Sequence, residues 1–219
     1  SKYLGGTPVF DSLFGIKYVI QEYDSDEEME LYTDTGWGDS DYTVWENPYA
    51  LSLAYGVNED LADLEIHDTY TNPFERMNAV VGAMLGEDVE IFKPVAHNEN
   101  IRSEGMMRSS VAGHLKFEKV EAGGAHRINI TLTAPDDKVL YCYFPSDYLR
   151  ECYLYVNGLK YGSVFGNESD RIIELGRFEA GEEITVSLEP LGDNMYIANE
   201  GYFFWQLDEE AFGEYMPRL

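Results

Sequence analysis

Val44-Trp45-Glu46-Asn47-Pro48-Tyr49-Ala50-Leu51 and, further along, Asn72-Pro73-Phe74-Glu75-Arg76-Met77-Asn78-Ala79 carry the most specific signals in the chain. Proline fixes its own φ and pushes the preceding residue out of the α region, so Asn47-Pro48 between two apolar runs reverses the chain. Leu51, Leu53, Tyr55 and Val57 then alternate with Ser52, Ala54 and Gly56. That period of two predicts a strand covered closely on its small-residue side. Asn72 stands where an N-cap belongs, Pro73 at the first helical position, and Glu75 where a capping-box carboxylate reaches back. Phe74, Met77, Val81, Met84 and Leu85 share one stripe at helical spacing, and Gly86 follows as a stop. Burying that stripe is worth on the order of 10 kcal/mol before ordering costs, which predicts a core helix.

Working outward, Val9 to Phe14 suits a short helical turn, and Ile16, Tyr18 and Ile20 alternate with Lys17 and Val19 in a strand entered through Gly15. The acidic run from Asp24 to Glu30 has no apolar anchor, and Trp37-Gly38-Asp39-Ser40-Asp41 continues as loop. A calcium site is conceivable there, but the spacing is not that of an EF-hand loop and carboxylates this frequent cluster by chance, so no metal residue is assigned. Val89 to Val95 reads as a strand stopped at Pro94, with His97-Asn98-Glu99-Asn100 as a linker. From Val111 onward apolar runs recur at sandwich-like spacing: Leu115 and Phe117; Ile128, Ile130 and Leu132; Val139 to Phe144; Cys152 to Val156; Ile172 to Phe178; Ile184, Val186 and Leu188. Asn157-Gly158 between Val156 and Leu159 is a two-residue hairpin signal. Tyr196 to Leu207 reads as one more aromatic strand, and Asp208, Glu209 and Glu210 favour the start of a helix over Phe212 and Tyr215. The expected fold is therefore mainly β with minor α. A small α+β lobe spans residues 1–97, an antiparallel β-sandwich 98–207, and a C-terminal helix 208–219.

Composition narrows the function classes. With 219 residues and 44% apolar content the chain can build a packed core. Lys+Arg 15 against Asp+Glu 41 gives a formal charge of −26, which repels nucleic acid and anionic lipid alike. No apolar run approaches the ~18 residues of a membrane span. The chain has no initiator Met, signal peptide or lipobox-like Cys, and is expected to begin inside a longer protein or after processing. Cys142 and Cys152 are the only cysteines. They read either as plain buried thiols or as a bridge closing a small loop, worth about 2–3 kcal/mol.

Catalytic motifs are missing: there is no GxSxG elbow, HExxH, GxxxxGK[ST] or strand-GxGxxG-helix unit. His67, His97, His114 and His126 stand alone, and 41 acids make any paired carboxylates uninformative. No catalytic, cofactor-binding or metal residue is assigned. Aromatics are the better lead. If the strands around Cys142 and Cys152 are neighbours, Tyr141, Tyr143, Tyr153 and Tyr155 share one sheet face. A tyrosine platform suits stacking on sugar rings, while the same residues also serve ordinary strand packing.

Leu13-Phe14-Gly15-Ile16-Lys17-Tyr18-Val19-Ile20, Trp45-Glu46-Asn47-Pro48-Tyr49-Ala50-Leu51-Ser52-Leu53-Ala54 and Asn72-Pro73-Phe74-Glu75-Arg76-Met77-Asn78-Ala79, in this order, resemble the extracytoplasmic region of the YfhO family of bacterial polytopic membrane proteins. Family segments of the type LLGVKYVI, YENPYALPLAF and PFERQN match them, with Phe14, Trp45 and Ser52 as departures. Tyr153 to Gly158 and Leu175 to Glu182 are similar to the family's jelly-roll-like lobe, a pattern that many carbohydrate-binding sandwiches share. The resemblance implies a non-catalytic domain on the extracytoplasmic face of a bacterial cell membrane, in a Gram-positive envelope. Its parent would be a membrane-embedded glycosyltransferase that decorates a lipoteichoic-acid-type polymer from a lipid-linked sugar. The implied partners are the membrane-embedded remainder of the same polypeptide, reached through the C-terminal helix, and a surface glycopolymer. A secreted carbohydrate-binding module and a glycoside hydrolase are the alternatives.

Overall fold

The structure is a computed structural model describing residues 6–22, 29–66, 72–96, 101–121, 123–144, 150–166, 172–199 and 201–219. It is mainly β, 44% strand against 19% helix, as the alternating patterns require. The chain forms two compact units: Gly5–Lys93 with Leu207–Leu219, and Pro94–Gln206. The C-terminal helix thus belongs with the N-terminal segment instead of standing apart.

In the first unit Thr7 caps helix α1 (Pro8–Leu13) by accepting the Phe10 N–H at 3.3 Å. Strands β1 (Tyr18–Glu22), β2 (Thr33–Gly38) and β3 (Tyr42–Glu46) form an antiparallel sheet in the order β1-β3-β2. Trp37 and Gly38, expected in a loop, lie in β2; the turn is confined to Asp39–Asp41, where Asp39 Oδ1 accepts the Asp41 N–H at 2.8 Å. The Asn47-Pro48 reversal is held from inside. Buried Asn47 donates through Nδ2 to Ser12 Oγ and to the Ile16 carbonyl, both at 3.2 Å, and accepts the Tyr49 N–H at 3.0 Å.

The strand expected over Leu51 to Val57 does not form. Alternation alone supplies no partner ladder: the Leu51 N–H donates to the Ser12 carbonyl, Ser52 Oγ donates to the Ala54 carbonyl, and Leu53, Tyr55 and Val57 are exposed. A 3-10 turn (Glu59–Asp63) leads on towards helix α2 (Pro73–Leu85). Asn72 caps α2 by accepting the Phe74 N–H at 2.9 Å. Gly86 ends the helix at φ +73°, a left-handed conformation that costs glycine no Cβ clash. Phe74, Met77, Val81 and Met84 are buried as the stripe predicts, and Phe74 meets Phe92 at 4.9 Å between ring centroids. Helix α3 (Glu209–Tyr215) is capped by Asp208, which accepts the Ala211 N–H at 3.2 Å and takes a 2.6 Å ion pair from Lys93. Arg218 grips Glu87 through two hydrogen bonds of 2.6 and 3.1 Å.

Two strands lie across the unit boundary, β4 (Phe92–Val95) and β15 (Phe204–Leu207). The second unit is an antiparallel β-sandwich. Its strands are β5 (Ile101–Glu104), β6 (Met106–Val111), β7 (His114–Lys119), β8 (Arg127–Thr133), β9 (Lys138–Cys142), β10 (Cys152–Val156), β11 (Leu159–Val164), β12 (Ile173–Phe178), β13 (Glu183–Pro190) and β14 (Asn194–Ala198). Sheet orders are β11-β10-β13-β8-β5, β12-β9-β15-β4 and β14-β7-β6. Tyr196 to Leu207 is therefore two strands in two sheets, not one. The β10–β11 hairpin turns at Asn157 (φ +49°) and Gly158 (φ +82°), as an Asn-Gly pair predicts.

Ile128, Ile130 and Leu132 of β8, Ile184, Val186 and Leu188 of β13, and Leu140 and Cys142 of β9 meet in one core cluster. Cys142 and Cys152 are free thiols within it. Burial pushes the Cys152 thiol up to about 12, helped by Glu151, and raises the Cys142 thiol as well. A raised thiol value favours the neutral form in the fold. Its contribution to stability is full below the unfolded value near 9.0 and declines as pH rises towards 12. At pH 8 a colorimetric thiol reagent should find less than a tenth of a thiol per native chain and two after denaturation. Rapid native labelling would refute this packing.

Candidate functional site

β10 fixes the site through its alternation. Cys152 and Leu154 point into the core, so Tyr153 and Tyr155 stand on the outer face of the five-stranded sheet, half-buried by their neighbours. Registers on that face align Lys160, Tyr155, Ser187, Asn129 and Arg102 in one lateral row that touches all five strands. At the usual interstrand spacing the row is roughly 19 Å long. A second row, two residues further along β10, β13 and β8 and three along β11, where the register shifts at a bulge, holds Ser163, Tyr153, Glu189 and Arg127.

The rings are held by cations. Lys160 Nζ lies 3.4 Å from the Tyr153 ring centroid and Arg127 Cζ 4.5 Å from that of Tyr155, and Arg127 Nε pairs with Glu189 at 3.2 Å. Each tyrosine thus has one face engaged by a charged neighbour, which fixes its rotamer and leaves its phenol as a hydrogen-bonding group. Around them Ser163 donates to Glu151 at 2.7 Å, and Asn157 Oδ1 accepts the Thr185 N–H at 2.9 Å. The rows present phenol, hydroxyl, amide and guanidinium groups in series, the chemistry of a hydroxyl-rich or anionic chain laid across the sheet.

The expectation that Tyr141, Tyr143, Tyr153 and Tyr155 share one face is corrected. β9 and β10 lie in different sheets, and both Cys142 and Cys152 project into the common core, so the tyrosines alternating with them cannot line one surface. Tyr141 is buried, and its phenol donates to Glu174 at 2.7 Å. Tyr143 is half-buried, its N–H donating to the Phe203 carbonyl at 2.8 Å. Tyr153 and Tyr155 are brought together; the other two are not with them. Sequence reasoning missed Lys160, Ser187, Asn129, Arg102 and Arg127. For Asn129, Arg127 and Ser187 the facing is implied by the alternation with Ile128, Ile130 and Leu188, but the row they share with Lys160 and Arg102 depends on strand order.

The remaining sequence candidates fall elsewhere. His67, His97 and most of the Asp24 to Glu30 run lie outside the described residues. One ring nitrogen of His114 meets the Ala112 carbonyl at 3.1 Å and one of His126 the Glu121 carbonyl at 2.9 Å, both on the surface. Among the described residues no group of three or more His, Cys, Asp or Glu is arranged to hold a metal ion. A cleft of about 410 Å³ in the first unit is lined by Asp88, Glu90, Asp208, Glu210 and Glu214, with Lys93 the one cation on its wall among the described residues.

A family model described as bacterial membrane protein YfhO matches residues 1–219. No curated protein shows significant similarity to the chain. No helix among the described residues is long and apolar enough to cross a membrane.

Proposed function

The chain belongs to the YfhO family of bacterial membrane proteins, and from that membership we propose that it is a non-catalytic extracytoplasmic domain that holds a surface glycopolymer for glycosylation. The single observation that carries the reading is the row of Lys160, Tyr155, Ser187, Asn129 and Arg102 across all five strands of one sheet. A sheet face that orders the Tyr155 phenol and the Asn129 amide between Lys160 and Arg102, with Ser187 buried at 6% exposure, suits an extended, hydroxyl-rich polymer. Lys160 and Arg102 are local contacts for the phosphate of a lipoteichoic-acid-type polymer, made at short range against the repulsion of a chain whose net charge is −26. Chemistry belongs to the membrane-embedded parent, a glycosyltransferase using a lipid-linked sugar, and this domain presents the acceptor beside it.

Titration of the chain with purified lipoteichoic acid tests the reading. Binding is expected, with Tyr155→Ala and Asn129→Ala each weakening it about tenfold, a loss of ~1.4 kcal/mol. Both positions are partly exposed, so these variants should keep the native fold by circular dichroism. Binding unchanged by both substitutions would move the contact to another face, and turnover of a glycoside by the chain alone would overturn the non-catalytic role.

A further inference from the structure

We propose that the outer face of the β1-β3-β2 sheet is a docking surface for a polypeptide segment that carries apolar side chains flanked by Lys or Arg. Ile20, Val44 and Trp37 stand in register across the three strands, with Tyr18 and Tyr42 on the same side. Ile20 is 69% and Trp37 61% exposed, and the Tyr18 and Trp37 rings lie 5.8 Å apart. The opposite face is the more covered one: Val19, Gln21, Thr43 and Trp45 are half-buried, and Trp45 Nε1 donates to Gln21 at 2.9 Å. The exposed face therefore gathers Tyr18, Ile20, Trp37 and Tyr42 into an aromatic and aliphatic patch, the kind of surface that marks an interaction site. Tyr and Trp at the centre with a polar rim is also the composition of a protein interface.

The rim identifies the occupant. Glu22, Asp34, Asp39, Asp41 and Glu46 belong to the three strands and their turn, while Lys17, whose Nζ lies 5.5 Å from the Tyr18 ring centroid, is already paired with Glu46 at 3.2 Å. The whole first unit holds four Lys and Arg against 24 Asp and Glu; residues 94–206 hold ten against 17. A second copy of the chain would bring the same acidic rim to the patch, and an anionic bilayer would bring phosphate to it. Both are repelled. A segment with an apolar centre and a cationic rim satisfies both parts of the surface at once.

The test uses the 219-residue chain and three probes: a synthetic amphipathic leucine–lysine peptide, phosphatidylcholine vesicles, and vesicles containing phosphatidylglycerol. Trp37 reports docking by a blue shift, which a Trp37→Phe variant removes. The peptide is expected to bind and to be released by salt. An Ile20→Ser/Trp37→Ser double variant, read by anisotropy of a labelled peptide, should bind it at least tenfold more weakly with the net charge of the chain unchanged. Glu22→Gln with Asp39→Asn and Asp41→Asn should weaken it at low salt and not at high salt. Failure of the peptide to bind, undiminished binding by the serine double variant, or a Trp37 shift with either vesicle but not the peptide each overturns the proposal.

Discussion

Asn78→Ala should destabilise the first unit by about 3–5 kcal/mol, although it removes only one polar side chain from a helix. Asn78 lies within α2 and acts as a substitute strand partner for the chain entering β4. Its Oδ1 accepts the Ile91 N–H at 3.0 Å and the Phe92 N–H at 2.9 Å, and its Nδ2 donates to the Phe92 carbonyl at 2.8 Å. Ile91 and Phe92 have no exposed surface, so water does not replace these bonds. Alanine would remove all three bonds at this buried pair, each loss costing about 1–3 kcal/mol. Urea denaturation followed by hydrogen exchange at Ile91 and Phe92 measures the effect, and Asn78→Asp, which keeps the acceptor, should retain part of the stability. A loss below about 1 kcal/mol for alanine would show that the three bonds are not what fixes this crossing.

Phe144→Ala should cost the second unit about 3–5 kcal/mol by a different mechanism. The ring is fully buried among Phe203 at 5.2 Å, Phe165 at 5.7 Å and Phe204 at 5.9 Å between centroids. These tilted and edge-on contacts surround a volume that alanine cannot fill, and the neighbouring rings cannot all collapse into it. Phe144→Leu keeps most of the volume and should cost about 1–2 kcal/mol. The shift in unfolding midpoint gives the number. Accelerated labelling of Cys142 and Cys152 would place the loss in this core, and equal effects of leucine and alanine would argue against a cavity.

Asn78 and Phe144 also show how differently the chain discloses its structure. Phe144 was legible as core from the apolar run that contains it. Asn78 was legible only as part of a helix, because the carbonyl and amides that it serves lie 13 and 14 residues away. The Leu51 to Val57 alternation failed for the same reason: side-chain period describes two faces, while a strand exists only where another backbone offers hydrogen bonds. Thr33–Gly38 was the converse case. Its polar, glycine-containing sequence gives no strand pattern, yet β3 supplies the ladder that makes it one.

The sequence by itself determined the local structure of this protein. The Asn47-Pro48 turn, the capped helix from Pro73 to Gly86, the Asn157-Gly158 hairpin and the inward residues of the sandwich strands follow from φ restriction, capping and alternation, all acting within a few residues. The family motifs at Asn47 and Asn72 are architectural for that reason, each fastening a turn or helix end by its own side-chain amide. Only the tertiary structure decided the candidate site. That β9 and β10 lie in different sheets separated Tyr141 from Tyr153, and that β10 lies between β11 and β13 placed Tyr155 beside Lys160 and Ser187. Alternation tells which side of a sheet a residue faces. It cannot tell which strand lies alongside, because every backbone offers the same ladder and the choice is made by packing across the whole core.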